Sequence, residues 1–514
     1  MLTAARVPIC VPVCEESLSQ MELAVERAAA AADLIELRLD YLRSEVEGDF
    51  ATLEKLLASE YDFVVTLRPV EQGGVRELDI PSRLKFWKSR WHDRAKFLDI
   101  ELDLCTNPAL LRHDEAPDWS RVICSHHDFS GVPVNLDNIY EQMSATPARV
   151  LKIAVQARDI TDCLPVFSLL DRGGSEGRAI IAIAMGNAGL LTRILGPSRG
   201  ALLTYGALDH LHATAPGQTT ARALREIYRI DSLSRETLVF GLVGLPVSHS
   251  VSPHMHNAAF SVAGVNGVYV PLEVHDLSAF FRRMVSLRTR EIDWNLRGLS
   301  ITAPYKSAVM DYLDWIEPAA KRIGAVNTVL VNSDGLHGFN LDGNALIQAL
   351  EEKFGQLRGA SCALIGTGGV ARAAIHALTK RQVKVTVYAR NKIRARELAE
   401  QFGGCWETLA SADFSKFDLV VNATPLGTLG PMQQLTPATA GQLRGARFAY
   451  DLVYNPDDTR FIQEARAAGC ETLSGLSMLI NQACEQFRLW TGVEPPNEVM
   501  RAAAVGALER KSNV

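Results

Sequence analysis

The segment Pro8–Leu39, PICVPVCEESLSQMELAVERAAAAADLIELRL, holds an apolar run, an amphipathic stretch and a second apolar run. Short runs rich in Val, Ile and Leu are the mark of strands buried on both faces, and the stretch between them carries helical periodicity. Two such strands joined by a helix-length crossover lie parallel. The unit recurs toward the C-terminus through DFVVTLR (Asp62), AKFLDIEL (Ala95), RVICSHH (Arg121), RVLKIAV (Arg149), AIIAIAM (Ala179) and ALLTYGA (Ala201), with TLEKLLAS and TTARALREIYRI among the helical segments. Eight strand–helix units in about 230 residues have the count and size of a (β/α)8 barrel.

A chain of 514 residues is too long for one core, and 47% hydrophobic with 22% charged residues is the composition of an ordinary globular protein rather than a disordered or fibrous one. The formal charge of −6 offers no global electrostatic attraction for nucleic acid or an anionic membrane. The nine cysteines include no CxxC pair, which argues against a disulfide framework or a zinc site and fits a reducing cytoplasm. No apolar run reaches the roughly 20 residues of a membrane helix, and the proline-broken N-terminus lacks a signal-peptide core. A soluble, cytoplasmic protein is expected, with no metal.

After a short polar linker at 231–236, LVFGLVG opens a new strand, and CALIGTGGVARAAIHAL places a glycine-rich strand-to-helix junction in a second α/β unit. Three domains are expected: a barrel over 1–230, a middle domain over 237–345 and a dinucleotide-binding domain over 346–475.

Active sites of such barrels lie at the C-terminal ends of the strands. There the runs end in Glu36, Arg38 and Asp40, in Arg68, and in His126, His127 and Asp128, while Lys152 sits inside VLKIAV and Arg193 follows the seventh run. Singly, each reads as a surface ion pair or a satisfied histidine; gathered at one mouth they read as a site. A lysine in an apolar run beside arginines is biased toward the neutral amine, which can attack a ketone. His127 could then move a proton next to the iminium, and an arginine fork suits a substrate carboxylate.

The ordered motifs ELRLD, TLRP with Gly73-Gly74, SHHDF, LKIAV, and GLLTR followed by TAPGQ resemble type I 3-dehydroquinate dehydratase across the barrel. The resemblance implies Lys152 as the imine lysine, His127 as general acid/base and Arg193 as the carboxylate clamp. It also implies Glu36, Arg38, Arg68, Thr214 and Gln218 as substrate contacts. Gln72 stands where the family usually has a glutamate before the glycine pair, so slower imine formation or hydrolysis is expected.

In the second half, Ser248, Ser250 and Ser252 fall between a strand and a helix, where they could cap the helix or bind a polyol. Lys306 and Asp342 could hold a substrate hydroxyl and pass its proton during hydride transfer, or merely pair at the surface. The loop Gly366–Ala371 has the GxGxxA form, and Arg390, Lys392 and Arg394 follow the next strand where an NAD-binding chain more often shows an acid. Cations there suit the 2′-phosphate of NADP, against the plainer reading of an exposed basic helix start.

SHSVSP, TAPYK, GAVNT, GFNLDG, GTGGVARA, NATPLG, YDLVYNP and GLSMLINQA, in this order, resemble shikimate dehydrogenase. The resemblance implies Lys306 and Asp342 as the catalytic pair, with Ser250, Ser252, Ser300, Thr302, Asn327 and Gln482 on the substrate. It implies Gly366, Gly368 and Gly369 on the cofactor phosphates, Arg390 and Arg394 on the 2′-phosphate, and a middle domain completed by 476–514. Leu341 replaces a usual threonine and Ser300 a frequent asparagine, so preference between shikimate and quinate is less determined than the reaction class. The whole chain looks like a bifunctional enzyme that makes 3-dehydroshikimate from 3-dehydroquinate and reduces it with NADPH to shikimate. A fused quinate dehydrogenase and a metabolite-sensing protein with its chemistry lost are the alternatives.

Overall fold

The computed structural model describes residues 6–43, 50–89, 91–112, 116–209 and 217–512. The first eight strands are β1 (Ile9–Val13), β2 (Leu34–Arg38), β3 (Phe63–Thr66), β4 (Phe97–Glu101), β5 (Val122–Asp128), β6 (Val150–Gln156), β7 (Ala179–Met185) and β8 (Thr204–Tyr205). They form one parallel sheet in the order β7-β6-β5-β4-β3-β2-β1-β8. A parallel bridge between Ile180 and Ala201, with Leu202 N donating to Ile180 O at 2.8 Å, joins β7 to the approach of β8 and nearly closes the cylinder. All eight apolar runs therefore become barrel strands.

Side chains two apart on a strand share a face, and that parity builds the barrel interior in layers. Leu34, Val64, Phe97, Ile123 and Val150 pack with Cys10, Ile181 and Tyr205 in one buried cluster. One step of two further along come Glu36, Thr66, Asp99, Ser125 and Lys152, and one further still Arg38, Arg68, Glu101 and His127. An apolar floor thus supports a polar mouth. Outside, the helix Leu18–Ala29 is capped by Ser17, whose hydroxyl accepts from Gln20 N, and it buries Met21, Ala24, Val25 and Ala28 as one stripe.

The second sheet comprises β9 (Leu238–Gly244), β10 (Gly267–Glu273), β11 (Leu296–Ile301), β12 (Trp315–Ile316), β13 (Thr328–Asn332) and β14 (Gly335–Phe339), in the order β10-β9-β11-β13-β14-β12. It is mixed, with β11 parallel to β9 and antiparallel to β13. The third comprises β15 (Ser361–Ile365), β16 (Lys384–Ala389), β17 (Cys405–Thr408), β18 (Leu419–Asn422), β19 (Phe448–Asp451) and β20 (Glu471–Leu473), all parallel, in the order β17-β16-β15-β18-β19-β20. Strand order reverses between β15 and β18, which opens a crevice at the carboxyl end of β15.

The helix Leu476–Thr491 returns to the second sheet: the Trp490 indole donates to Val329 O at 3.1 Å and covers Gly298, where an added Cβ would lie 2.4 Å from the indole nitrogen. By contacts the chain falls into two compact units, 1–237 with 246–248 and 270–295, and 238–245 with 249–269 and 296–514. Among the described residues no helix is long and apolar enough to cross a membrane, and all nine cysteines are free thiols.

Candidate active sites

The barrel mouth contains a cavity lined by Glu36, Arg38, Arg68, His127, Lys152, Arg193 and Gln218, together with Gln72, Phe129, Met185 and Tyr205. Seven of the eight barrel residues expected from sequence thus face one space; Thr214 lies outside the described residues. His126, one residue from His127 and on the opposite face of β5, does not line it.

Lys152 is buried in β6. Its Nζ donates to Asp99 Oδ2 at 2.7 Å and to the Tyr205 hydroxyl at 3.0 Å, with Glu36 Oε1 at 3.6 Å. The charges nearest the amine are carboxylates, not the arginines anticipated from sequence, because those arginines are drawn to acids of their own. Arg68 pairs with Asp99 at 2.8 Å and Glu101 at 3.0 Å and donates to Ser125 Oγ at 2.8 Å. Arg38 grips Asp40 through two hydrogen bonds of 2.9 and 2.8 Å and reaches Gly73 O at 3.3 Å. Arg193 differs. Among the described residues no carboxylate pairs with it; one N–H donates to the Tyr205 carbonyl at 3.2 Å, and its Nε is buried without a partner. Burial lowers its guanidinium to about 10, so it remains charged at neutral pH and can take an anionic group.

The buried charges set one another's protonation. Burial pushes the Asp99 carboxyl up, but Arg68 and Lys152 outweigh it and hold Asp99 well below the usual range. Burial lifts Glu101 to about 7 against the pull of Arg68. Burial, reinforced by Arg68 and Lys152, holds His127 well below the ordinary imidazole value, so it is a neutral base at pH 7. Its backbone N–H donates to Gln72 Oε1 at 2.8 Å. The turn that presents Gln72 needs its glycines: Gly73 has φ +83°, and a Cβ on Gly74 would lie 2.0 Å from the Arg68 carbonyl oxygen.

In the second unit Lys306 Nζ lies 2.6 Å from Asp342 Oδ2, and Asn327 Nδ2 donates to Asp342 Oδ1 at 2.8 Å. Asp342 opens the helix Asp342–Lys353, where the helix N-terminus favours an anion. Asn327 Oδ1 accepts from Thr328 Oγ1 at 2.8 Å and Leu341 N at 3.0 Å, so position 341 serves the site through its backbone.

Ser300, expected to face substrate, spends its hydroxyl inside the protein. It accepts from the Tyr269 hydroxyl at 2.7 Å and donates to Gln486 Oε1 at 3.0 Å, and Gln486 Nε2 donates to Thr328 Oγ1 at 2.9 Å. A buried chain of hydrogen bonds therefore runs from Tyr269 through Ser300, Gln486, Thr328 and Asn327 to Asp342. Ser250 Oγ accepts from Ser252 N at 3.1 Å at the start of the helix Ser252–Val262, a local turn that accounts for part of the serine cluster; Ser248 is exposed. Thr302 and Gln482 are half-buried.

The glycine loop follows β15. Gly366 has φ +126°, and an added Cβ there would lie 2.8 Å from Ala423 O; a Cβ on Gly368 would enter open space before the helix Gly369–Lys380. That open cradle at a helix N-terminus fits a dinucleotide pyrophosphate. A Cβ on Gly369 would lie 3.4 Å from Lys306 Cδ, so cradle and lysine adjoin. Arg390 and Arg394 are exposed after β16, flanking Asn391, whose side chain caps the helix Lys392–Phe402 by accepting from Arg394 N at 3.1 Å.

Sequence reasoning missed Asp99, Glu101, Ser125 and Tyr205 in the barrel, and Tyr269 and Gln486 beyond it. For Asp99 and Glu101 a signal existed: two acids spaced by two within an otherwise apolar strand must share a face with Phe97.

Family models match the chain in sequence order: Type I 3-dehydroquinase over 9–235, shikimate dehydrogenase substrate binding domain over 242–329, Shikimate / quinate 5-dehydrogenase over 348–429, and Shikimate 5′-dehydrogenase C-terminal domain over 475–505. The chloroplastic bifunctional 3-dehydroquinate dehydratase/shikimate dehydrogenase of Arabidopsis thaliana is 33% identical over 96% of this chain and 83% of its own. The NADP(+) shikimate dehydrogenase of Desulforamulus reducens is 40% identical over 52% of this chain and 95% of its own. The crystal structure of shikimate 5-dehydrogenase from Thermus thermophilus with NADP(H) and shikimate is 38% identical, covering 53% of this chain and 100% of that one, with a TM-score of 0.48.

Proposed function

Because the chain belongs to the bifunctional 3-dehydroquinate dehydratase/shikimate dehydrogenase family, we propose that its two activities are carried by the two lysine-centred sites. The protein is a shikimate-pathway enzyme, a lyase and an NADP-dependent oxidoreductase in one chain. The dehydratase occupies 1–230; a substrate-binding domain over 237–345, completed by 476–514, and an NADP domain over 346–475 make up the dehydrogenase.

The observation that carries the dehydratase assignment is a buried lysine opening into a cavity whose one uncommitted cation is Arg193 among the described residues. Arg193 takes the substrate carboxylate, and Glu36, Arg38, Arg68 and Gln218 complete the pocket; Thr214, outside the described residues, is assigned as a substrate contact on the family resemblance alone. Lys152 attacks the ketone and forms an iminium, which makes the adjacent C–H acidic. Neutral His127 removes that proton and returns one to the departing hydroxyl, so water is lost. Hydrolysis of the imine frees the lysine. Gln72 holds the His127 backbone but, as an amide, shuttles no proton.

In the dehydrogenase, Ser250, Ser252, Thr302, Asn327 and Gln482 bind the polyol. Lys306 and Asp342 hold the reacting oxygen and move its proton, while Asn327 fixes the orientation of Asp342. Gly366, Gly368 and Gly369 would hold the phosphates of NADPH, and Arg390 and Arg394 its 2′-phosphate; when bound there, the cofactor would supply the hydride. Ser300 acts through the Tyr269–Gln486 chain rather than by contact. Nine unpaired thiols support a reducing, cytoplasmic setting, and the net charge supports small-molecule partners rather than nucleic acid or membrane.

The test incubates the protein with 3-dehydroquinate and NADPH and identifies the product by chromatography. Shikimate is the expected product. Quinate would move the second half to the quinate reading, and no turnover of either 3-dehydroquinate or added 3-dehydroshikimate would favour a sensor.

A further inference from the structure

Three groups surround the Lys152 amine: Asp99 at 2.7 Å, the Tyr205 hydroxyl at 3.0 Å and Glu36 at 3.6 Å. Their chemistry differs. Asp99 is shared with Arg68, and the two cations hold it as an anion that accepts hydrogen bonds without taking a proton. Glu36 is engaged by the Thr66 hydroxyl at 2.7 Å and stands outside hydrogen-bond distance of the amine. Gln72 is an amide whose oxygen is spent on His127 N. Among the described residues, the Tyr205 hydroxyl is the group touching Nζ that can both give and accept a proton.

Its position is well built. Tyr205 lies in β8, in register with Cys10 of β1, and packs its ring into the barrel's apolar floor with Nζ 4.4 Å from the ring centre. Its carbonyl takes the Arg193 N–H, so one residue touches both the lysine and the carboxylate clamp.

We propose that Tyr205 is the proton relay of imine formation, an inference that rests on the dehydratase reading above and deepens it. The lysine ammonium carries three protons, the iminium nitrogen keeps one and the departing water takes two. Both protons must therefore travel from nitrogen to the ketone oxygen. In the first transfer the phenol gives its proton to the carbonyl oxygen and takes one from Nζ, while the nitrogen lone pair forms the N–C bond and the C=O π pair moves to oxygen. In the second it repeats the exchange with the carbinolamine: the C–O bond breaks, water leaves and the nitrogen lone pair closes C=N. Charge is +1 throughout, and the phenol ends as it began. Burial, then Glu36, holds the phenol far above its ordinary value, so it stays protonated at rest and exchanges only in concert.

Tyr205→Phe keeps the ring beneath the amine and removes only the oxygen. With 3-dehydroquinate and borohydride, the reduced adduct on Lys152 is read by mass spectrometry against time. The variant is expected to trap roughly 100-fold more slowly; the wild type is expected to trap more slowly in D2O, and the size of that effect should change in the variant, a readout that loss of packing alone would not produce. An unchanged thermal unfolding transition of the barrel reports its integrity, and Tyr205→His, which can again pass a proton, should recover part of the rate. Trapping by Tyr205→Phe at the wild-type rate overturns the relay alone, as does a histidine variant no faster than phenylalanine. A wild type that gives no adduct at all overturns the dehydratase reading and the relay with it.

Discussion

The barrel mouth and the dehydrogenase site each hold a lysine against a carboxylate, at 2.7 Å for Lys152–Asp99 and 2.6 Å for Lys306–Asp342, yet they are built in opposite ways. Lys152 belongs to a buried ionic network in which Arg68, Asp99, Glu101 and Glu36 compensate one another. Paired charges buried this far from water leave a costly unpaired charge behind when one partner is deleted, so the network is intolerant of deletion. Lys306 is 16% exposed, and its partner is steered by neutral groups, Asn327, Thr328 and Gln486. On the proposed roles, the lysine that forms a covalent bond is the walled-in one, and the lysine that exchanges a proton with a substrate oxygen is the more exposed one.

The sharpest break between the two regions is Lys152→Met against Lys306→Met. The first is expected to abolish dehydration and leave reduction of 3-dehydroshikimate at its wild-type rate, and the second to do the reverse by about 100-fold or more; separate assays with each substrate check both. Equal loss of both activities in either variant would mean the sites are not independent.

Stability should separate them next. Asp99→Asn removes the anion shared by Arg68 and Lys152 and is expected to cost about 3–5 kcal/mol. Ser300→Ala breaks a neutral chain and should cost about 1–3 kcal/mol. Urea titration of both variants measures the gap, and a smaller loss for Asp99→Asn would refute the contrast.

Cofactor choice gives a smaller effect. Arg390→Ala with Arg394→Ala should raise the KM for NADPH about tenfold, or 1.4 kcal/mol, while the KM for NADH changes little. Dehydratase kinetics should be unaffected.

The finest test is pH. His127 must be neutral to act as a base, and its value in the fold is held below the ordinary 6.5 by burial and by Arg68 and Lys152. Protonation therefore sets in only at lower pH, and the acid limb of dehydratase kcat should lie below pH 6.5. Arg68→Gln removes one of the cations and should move that limb upward; an unmoved limb would assign it to another group.

Strand identity and strand count could be read from the sequence because apolar runs of that length have few other uses, and all eight runs reappear as β1–β8. The ends of those runs named Glu36, Arg38, Arg68 and His127, the interior of the sixth named Lys152, and all five line one cavity. Partnership could not be read. Asp99 and Tyr205 are 53 residues from Lys152 on either side, and only the closure of a parallel barrel puts β4, β6 and β8 side chains at one level. Ser300 shows the same limit: its place in SITAPYK suggested substrate, but Tyr269 and Gln486 arrive from elsewhere in the chain and claim its hydroxyl.

What the sequence determined by itself is local: where strands and helices form, which positions must be glycine, and which residue types stand at strand ends. Such features depend on side-chain period and backbone freedom within a few residues. What the tertiary structure decided is the protonation and commitment of each group: Arg68 and Arg38 bound to acids while Arg193 is left for an anion, His127 kept neutral, and Asp99 kept ionised. Those outcomes depend on distance and burial, and Coulomb and desolvation energies are set by neighbours in space, whatever their separation along the chain.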